Sequence, residues 1–406
     1  MSDPKPSDLL PVEEALARVL DGVAPLASEN VALAAALGRV LAAPLAALRT
    51  QPPRDVSAMD GYALRAADGM APPAAFRVIG TAPAGRPFAG RVGAGEAVRI
   101  FTGAVVPDGA DAILLQEDAE RTADNGILAK ETPRKGQHIR LRGLDFTEGE
   151  VLLHAGQRLG MRELALAAAL NHATVPVRRR PVVAIMATGD ELVQPGGSLA
   201  EGQIVASNSF AIAGLVQNIG GTALDLGIVP DDAGAIGAAI ERGSAADILV
   251  TLGGASVGDH DLVRDVLTAH GLDQGFWRIA MRPGKPLIFG RLGEKRVLGL
   301  PGNPVSAIVC ALLFLQPLLE RLLGLPDRSM EMTARLATPV KANDRRQDYL
   351  RARLSFAEDG TRIATPFDRQ DSAMLTTLVQ ADCLIVRPPH APAAQAGVAC
   401  RIIIMP

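Results

Sequence analysis

Residues 179–325 alternate short apolar runs with segments of helical spacing. A short apolar run between turn residues is typical of a buried strand, and apolar positions three or four apart indicate an amphipathic helix. Their alternation predicts an open parallel α/β sheet with right-handed crossovers, whose ligands bind beyond the carboxyl ends of the strands. The predicted strands are 182–187, 224–228, 248–252, 286–289 and 297–300, and the predicted helices are 209–219, 233–242 and 262–269.

The flanking regions follow other patterns. Helical spacing near the N-terminus predicts helices over 11–23 and 31–41, and a third over 161–170. Short strands separated by glycine turns predict an inserted β-barrel or sandwich, and a second set predicts a small C-terminal β-barrel. The first set is 76–80, 97–101, 112–115 and 126–128, and the second is 333–340, 349–356, 362–365, 383–386 and 401–404.

The fold class is therefore a multidomain α/β plus β protein, since 406 residues exceed one core and suggest roughly two to four domains. Four domains follow from the patterns. They are an elongated, mostly helical N-terminal domain (1–50 with 142–178), an inserted β-rich domain (51–141), the α/β domain (179–328) and the C-terminal barrel (329–406).

Three glycine-rich loops are crowded between residues 247 and 307, each beside a predicted strand. They occupy 253–261, 281–285 and 301–307. Glycines at such turns let backbone amides approach an anion, and helix N-termini favour negative charge. Arg278, Arg282 and Lys285 add positive charge beside them. These features predict binding of a phosphorylated or oxyanionic ligand.

Several motifs permit two interpretations each. In 188–192 (TGDEL), adjacent carboxylates could hold a hydrated Mg²⁺, or Thr and Asp could cap a helix. The glycines of 253–258, with neither Walker nor dinucleotide spacing, suit a phosphate cradle or a tight turn. Asp259 and Asp261 could bind a metal or cap the next helix. Segments 57–62 and 101–104 are candidate sites or surface turns.

Composition narrows the class of partner. A net charge of −3 gives no electrostatic reason to expect nucleic acid or a membrane surface. Three distant cysteines and six scattered histidines show no disulfide or zinc pattern, which fits a reducing cytosol. The N-terminus lacks a signal peptide, and the longest apolar run, 307–315, is short of the ~20 residues that a bilayer span needs. We therefore expect a cytoplasmic protein.

Together these motifs strongly resemble the molybdopterin molybdenumtransferase family, whose relatives include the C-terminal domain of gephyrin. The resemblance runs in order along nearly the whole chain. The matching segments are 53–65 (PRDVSAMDGYALR), 80–88 (GTAPAGRPF), 99–104 (RIFTGA), 109–118 (GADAILLQED), 143–149 (GLDFTEG), 187–192 (ATGDEL), 253–261, 276–286 (FWRIAMRPGKP) and 300–307 (LPGNPVSA).

The resemblance implies insertion of molybdenum from molybdate into adenylylated molybdopterin, with release of AMP and a requirement for Mg²⁺. It implies an α/β domain of the molybdopterin-binding type and an elongated homodimer with shared active sites. Molybdopterin adenylyltransferase and apo-molybdoenzymes become expected protein partners. Two other functions remain as alternatives: molybdopterin adenylyltransferase, which needs only the α/β region, and a gephyrin-like scaffold, which would call for an appended domain or long linker.

The same resemblance assigns the site residues. The implied catalytic residues are Asp60, Thr102, Asp145, Glu191 and Asp261, and the implied metal ligands are Asp60, Glu191, Asp231 and Asp261. The predicted substrate-binding residues are Gly253, Gly254, Ser256, Gly258, Arg278, Arg282, Lys285, Pro301, Gly302, Asn303, Arg351 and Ser372. The family commonly has lysine where Arg278 and Arg282 stand. Arginine keeps the charge but is a planar fork, so ligand geometry there can differ.

The physical chemistry of the substrates agrees with these assignments. Molybdate is a dianion that needs several cationic or hydroxyl donors, which Arg351 and Ser372 would supply together with the cations near the glycine loops. Carboxylates such as Asp60 and Glu191 repel anions unless a divalent cation lies between them. Their presence is an argument for Mg²⁺ at the adenylate phosphate.

Overall fold

The computed structural model describes residues 9–254, 262–327 and 329–406. Its central sheet has six strands. The first four in spatial order are mutually parallel, as predicted. The fifth is antiparallel to the fourth, and the sixth is antiparallel to the fifth. In spatial order the strands are Thr222–Val229, Val182–Thr188, Ile248–Leu252, Lys295–Leu300, Pro286–Leu292 and Asp273–Arg278.

The antiparallel edge has a local cause. Only Gly293 and Glu294 separate Pro286–Leu292 from Lys295–Leu300, and a two-residue turn joins antiparallel strands. Gly293 has a φ of 61°, the left-handed value that such a turn requires. Because Pro286–Leu292 is antiparallel to the four parallel strands, its first residue, Pro286, lies at the edge where those strands end. The glycine loop before it therefore reaches the same edge as the other two.

Helices cover both faces of this sheet. Helices Ala233–Arg242 and Leu262–Ala269, predicted with these bounds, pack on one face. The other face is covered by Asn208–Ile219, by Val12–Leu20 and by a long helix. The long helix runs through Pro304–Cys310, a π-helical turn at Ala311–Leu315, and Gln316–Leu322.

The long helix, Pro304–Leu322, is more extended than the sequence indicated. It has 19 residues, and its most apolar 18-residue window has a mean hydropathy of 1.7, enough by length and composition alone to cross a membrane. However, 67% of its apolar window is buried inside the protein. The helix is the core helix of the α/β domain, packed against the central sheet.

The N-terminal region contains less helix than predicted. The predicted helix over 31–41 is wrong: Ser28–Ala32 is a strand, followed by the 3₁₀ turn Leu33–Ala35. Ser28–Ala32 pairs antiparallel with Thr174–Arg178, a partner too distant in sequence for local spacing to reveal. The remaining elements are strands Leu45–Ala46 and Val151–Leu153, which pair with each other, and helix Met161–Ala169.

The inserted β-rich region forms one six-stranded sheet with a core on each face. Its chain enters and leaves through paired strands, Val56–Ser57 and Ile139–Arg140, and Gln51 forms a bridge with Phe146 just outside them. We call this paired segment the neck. The strand order in the sheet is Ala112–Leu115, Gly61–Leu64, Glu96–Ile100, Ala74–Ala82, Gly126–Ala129 and Ala119–Arg121, with the 3₁₀ turns Ala66–Gly69 and Gln116–Asp118 between strands.

The C-terminal region is a closed β-barrel, as predicted. It closes because Cys383–Arg387, the last strand of the sheet, pairs with Gln347–Phe356 as well as with Ala399–Ile404. The pair Met281–Arg282 adds to Gln347–Phe356 and joins the barrel to the α/β domain. A short helix, Leu375–Val379, was not predicted. The other barrel strands are Arg362–Pro366, Glu331–Leu336, Ala399–Ile404 and Cys383–Arg387.

Candidate functional site

A cleft of 890 Å³ lies at the carboxyl edge of the parallel strands. Leu252 and Leu300 are paired at the ends of adjacent strands, so the loops that follow them meet. A Cβ built on Gly302 would lie 3.8 Å from the Cα of Gly253. The cleft brings together seven predicted site residues: Glu191, Asp231, Gly253, Gly254, Pro301, Gly302 and Asn303.

Two glycines of the cleft cannot be replaced without moving the backbone. Gly253 has a φ of +92°, and a Cβ there would lie 2.6 Å from the carbonyl oxygen of Thr188. Gly254 has a φ of +65°, and its Cβ would lie 2.5 Å from a methyl carbon of Val263. Both positions therefore require glycine, and both residues line the cleft.

The second loop, 301–303, is fixed by side-chain amides. Asn208 donates from Nδ2 to the carbonyl oxygen of Gly302 at 2.7 Å, and Asn303 donates from Nδ2 to Oγ of Ser372 at 3.1 Å. The N–H of Val305 donates to the carbonyl oxygen of Ser372 at 3.1 Å. Ser372 thus belongs to the barrel but contacts the cleft loop. The sequence assigned no role to Asn208, whose position at the start of a helix was the only available signal.

Three carboxylates converge at one end of the cleft. Asp190 accepts from the N–H of Asp231 at 3.3 Å, and Glu191 and Asp231 line the cleft. The pKa of Asp231 is raised, first by desolvation of its carboxyl and then by repulsion from Asp190 and Glu191. Among the described residues, no three acidic, histidine or cysteine side chains are close enough to hold a metal by themselves.

An apolar rim faces these carboxylates. The parallel pair Leu192–Val193 and Ile204–Val205 leads out from the TGDEL segment and back. Ile204 and Val205 line the cleft with exposed fractions of 55% and 42%. A flat ring system can pack on such a wall, which the sequence did not single out.

Thr188 also lines the cleft without having been predicted. Its side chain is 4% exposed, and its Oγ1 has no hydrogen-bond partner in the part of the chain that the structure describes.

Asp60 and Thr102 form a second polar centre, on the inserted domain. Both the N–H and the hydroxyl of Thr102 donate to Oδ1 of Asp60, at 2.7 and 2.8 Å. These two hydrogen bonds, with a smaller contribution from Arg99, lower the pKa of Asp60. Neither residue is among those that line the cleft. Asp145 is exposed beside the neck, where its N–H donates to the carbonyl oxygen of Gln51 at 3.0 Å.

The predicted cations lie around the cleft and not in its lining. Arg282 forms a bidentate pair with Asp348, a carboxylate with only 7% side-chain exposure, and lies 3.5 Å from Asp344. Arg278 stacks over the ring of Trp277 at 4.3 Å. Lys285 is half-buried and has no side-chain partner among the described residues. The guanidinium of Arg282 is thus occupied by a protein carboxylate, which the residue type did not reveal.

Arg351, which was predicted to bind molybdate, is almost fully buried. Only 1% of it is exposed, and its guanidinium donates to the carbonyl oxygens of Asp371 and Met374 at 2.8 and 3.4 Å. The pKa of Arg351 is lowered by this burial. Three predicted residues, Ser256, Gly258 and Asp261, lie outside the described residues.

Comparison with known proteins covers almost the entire chain. Residues 10–171 match the profile "MoeA N-terminal region (domain I and II)". Residues 184–321 match "Probable molybdopterin binding domain", and residues 333–405 match "MoeA C-terminal region (domain IV)".

Individual relatives agree with these profiles. A molybdopterin molybdenumtransferase of Haemophilus influenzae is 35% identical over 93% of this chain and 94% of its own length. That of Bacillus subtilis is 33% identical over 98% and 94%. The crystal structure of a molybdopterin biosynthesis moeA protein from Pyrococcus horikoshii OT3 superimposes with a TM-score of 0.82 and 30% identity, covering 98% of this chain and 100% of that one.

Proposed function

This chain belongs to the molybdopterin molybdenumtransferase family, and we propose that it inserts molybdenum from molybdate into adenylylated molybdopterin with release of AMP. One observation carries the proposal: two glycine loops and two carboxylates line the same cleft of 890 Å³. Such a cleft suits an anion that is bound together with a cation. The three free cysteines are consistent with a protein of the reducing cytoplasm.

The chain's own groups divide the substrate between them. The glycine loops at Gly253 and Gly302 hold the phosphates, because both line the cleft at the carboxyl ends of adjacent parallel strands. The apolar rim at Ile204 and Val205 packs against a ring system. Molybdate binds nearer the barrel, where Ser372 offers a hydroxyl and Lys285 an ammonium without a competing partner among the described residues.

A divalent cation fits the acidic end of the cleft. Desolvation, and then repulsion from Asp190 and Glu191, raise the pKa of Asp231, and a bound cation would offset both effects. Because no three such side chains are close enough among the described residues, Glu191 and Asp231 would hold Mg²⁺ together with water and substrate oxygens. When bound, Mg²⁺ supplies charge neutralisation at the adenylate phosphate.

The site is shared between two copies of the chain. The Asp60–Thr102 centre lies on the inserted domain, away from the cleft lining, although family resemblance places both in the reaction. The N-terminal half also carries exposed apolar side chains suited to an interface: Leu37, Leu48, Leu141, Leu144 and Met161. A partner's inserted domain can bring its Asp60 to the cleft in a two-fold dimer.

The proposed reaction is tested by product analysis. The purified protein is incubated with adenylylated molybdopterin, molybdate and Mg²⁺, and we expect molybdate-dependent release of AMP. Pyrophosphate released from ATP and molybdopterin would instead indicate the adenylyltransferase. The adenylyltransferase is not favoured, because the matches extend over the N-terminal and C-terminal regions that it does not need.

The shared site is tested by mixing. Asp60→Asn and Glu191→Gln chains are each impaired, but a purified heterodimer contains one cleft with both native residues. We expect it to recover about half of the wild-type activity. An active monomer, or a heterodimer no better than its parents, would place the whole site within one chain.

A further inference from the structure

A loop of the C-terminal barrel, residues 367–374, forms part of the cleft wall. Ala373 lines the cleft, and the neighbouring Ser372 contacts Asn303 and Val305 of the α/β domain. We call this segment the barrel loop. The position of the barrel loop determines where the Ser372 hydroxyl lies relative to the cleft. The side chains that hold this loop therefore affect the geometry of the site.

Gln370 uses its whole amide to hold this loop. Its Oε1 accepts from the backbone N–H of Arg351 at 2.9 Å and from Nε of Arg351 at 3.2 Å. Its Nε2 donates to the carbonyl oxygens of Arg351 and Phe367 at 3.0 and 2.9 Å. A carboxamide has two donor hydrogens and two acceptor lone pairs, and all four are used.

Arg351 links Gln370 to the part of the barrel loop that contains Ser372. Its Nη1 donates to the carbonyl oxygens of Asp371 and Met374, which lie on either side of Ser372 in sequence. The loop is tightened further because Oδ1 of Asp371 accepts from the N–H of Ala373 at 2.8 Å. Because the Arg351 side chain is 99% buried, its guanidinium group has little room to change orientation.

We propose that Gln370 is a positioning residue: by orienting the Arg351 fork, it sets the barrel loop so that Ser372 presents its hydroxyl at the molybdate side of the cleft. The inference rests on the proposed function. Gln370 touches no substrate in this arrangement and acts only through Arg351 and the loop.

The test replaces the carboxamide by a side chain of similar length that makes no hydrogen bond. Gln370→Met should raise the KM for molybdate about tenfold, because a small displacement of a positioned group costs this much or more. The KM for adenylylated molybdopterin should change less than threefold. The matched control is Gln380→Met, which removes a glutamine of the same domain whose side chain accepts from Arg353 outside the cleft lining. The control should leave both KM values at the wild-type level.

A double substitution separates positioning from general destabilisation. If Gln370 acts through Ser372, the Gln370→Met/Ser372→Ala protein has the molybdate KM of the more impaired single variant. Multiplied effects, or an unchanged KM in a folded Gln370→Met protein, would overturn the proposal. If Gln370→Met does not fold, Gln370→Glu decides. It keeps the acceptor for Arg351 but loses both donated bonds, and should still raise the molybdate KM.

Failure of the inference can be distinguished from failure of the proposed function. AMP release by the wild-type protein tests the function alone. The molybdate Kd of the same variants, measured by calorimetry without turnover, gives the ratio that the inference predicts even if no AMP is formed.

Discussion

Two acidic side chains predicted to bind the same metal, Asp60 and Asp231, lie in opposite electrostatic surroundings. Two donors from Thr102 stabilise the charge of Asp60 and lower its pKa, whereas desolvation and two neighbouring carboxylates raise the pKa of Asp231. The inserted domain thus supplies the counterpart to its own carboxylate. The α/β domain leaves its carboxylates uncompensated. Under the proposed function, the cation would be held by the α/β domain, with Asp60 as an oriented anion.

Glu191→Gln should have the largest effect. The amide keeps the size of the side chain but removes a charge from the acidic end of the cleft, so turnover should fall at least about a hundredfold, or roughly 2.7 kcal/mol. The Tm should stay within a few degrees, because the side chain is exposed. The matched control is Glu201→Gln, an exposed carboxylate outside the cleft lining. Equal turnover in the two variants would remove Glu191 from the site.

Asp60→Asn should lower turnover by at least about tenfold. An amide can still face Thr102, but it carries no charge toward the reacting groups. The inserted domain offers a close control: Asp124 has its pKa lowered by the hydroxyl of Thr122 in the same way. Asp124→Asn should leave AMP release unchanged. If both variants lose activity alike, the effect comes from the domain's stability.

Asp231→Asn should stabilise the protein while impairing it. An acid whose folded pKa is raised destabilises the fold above that pKa, and this penalty disappears as the pH falls below its ordinary value of 3.8. At pH 7 without Mg²⁺, the variant should melt about 1–2 °C higher than wild type. Mg²⁺ should raise the Tm of the wild type and raise that of the variant less. An equal Mg²⁺ response in both would place the cation elsewhere.

Thr102→Val should have the smallest effect, visible mainly in the pH profile. The hydroxyl donor is lost while the backbone donor stays, so the pKa of Asp60 should rise toward its ordinary value. A carboxyl group whose pKa is lower in the folded state stabilises the fold at pH values above its unfolded-state pKa. This stabilisation is lost as the pH falls through the folded-state pKa. The acid limb of activity should therefore move to higher pH, and Thr102→Ser should restore it. Superimposable profiles for all three proteins would disconnect Thr102 from Asp60.

The sequence was most informative where burial is strongest. Strand Ile248–Leu252 and helix Ala233–Arg242 were predicted with their observed bounds, because fully apolar runs and helical spacing alternate without ambiguity there. Around Ser28–Ala32, the same apolar spacing fits a helix or a strand. The choice is made by pairing with Thr174–Arg178, which local spacing cannot show.

Site prediction had a similar limit. Glycine loops at strand ends located the cleft, because the topology of a parallel sheet fixes where such loops meet. The partner of each cationic side chain could not be predicted from the sequence. Whether Arg282 faces a ligand or Asp348 depends on a barrel strand 66 residues further along the chain. Arg351 likewise reads as a surface cation until the barrel closes around it.

The neck has a consequence for the history of this chain. At Val56–Ser57 and Ile139–Arg140 the two backbones run side by side, and Gln51 and Phe146 continue the pairing outside them. Paired strands lie about 5 Å apart, a gap that a short turn can span. The inserted domain can therefore be gained or lost as a cassette without rethreading the rest of the molecule.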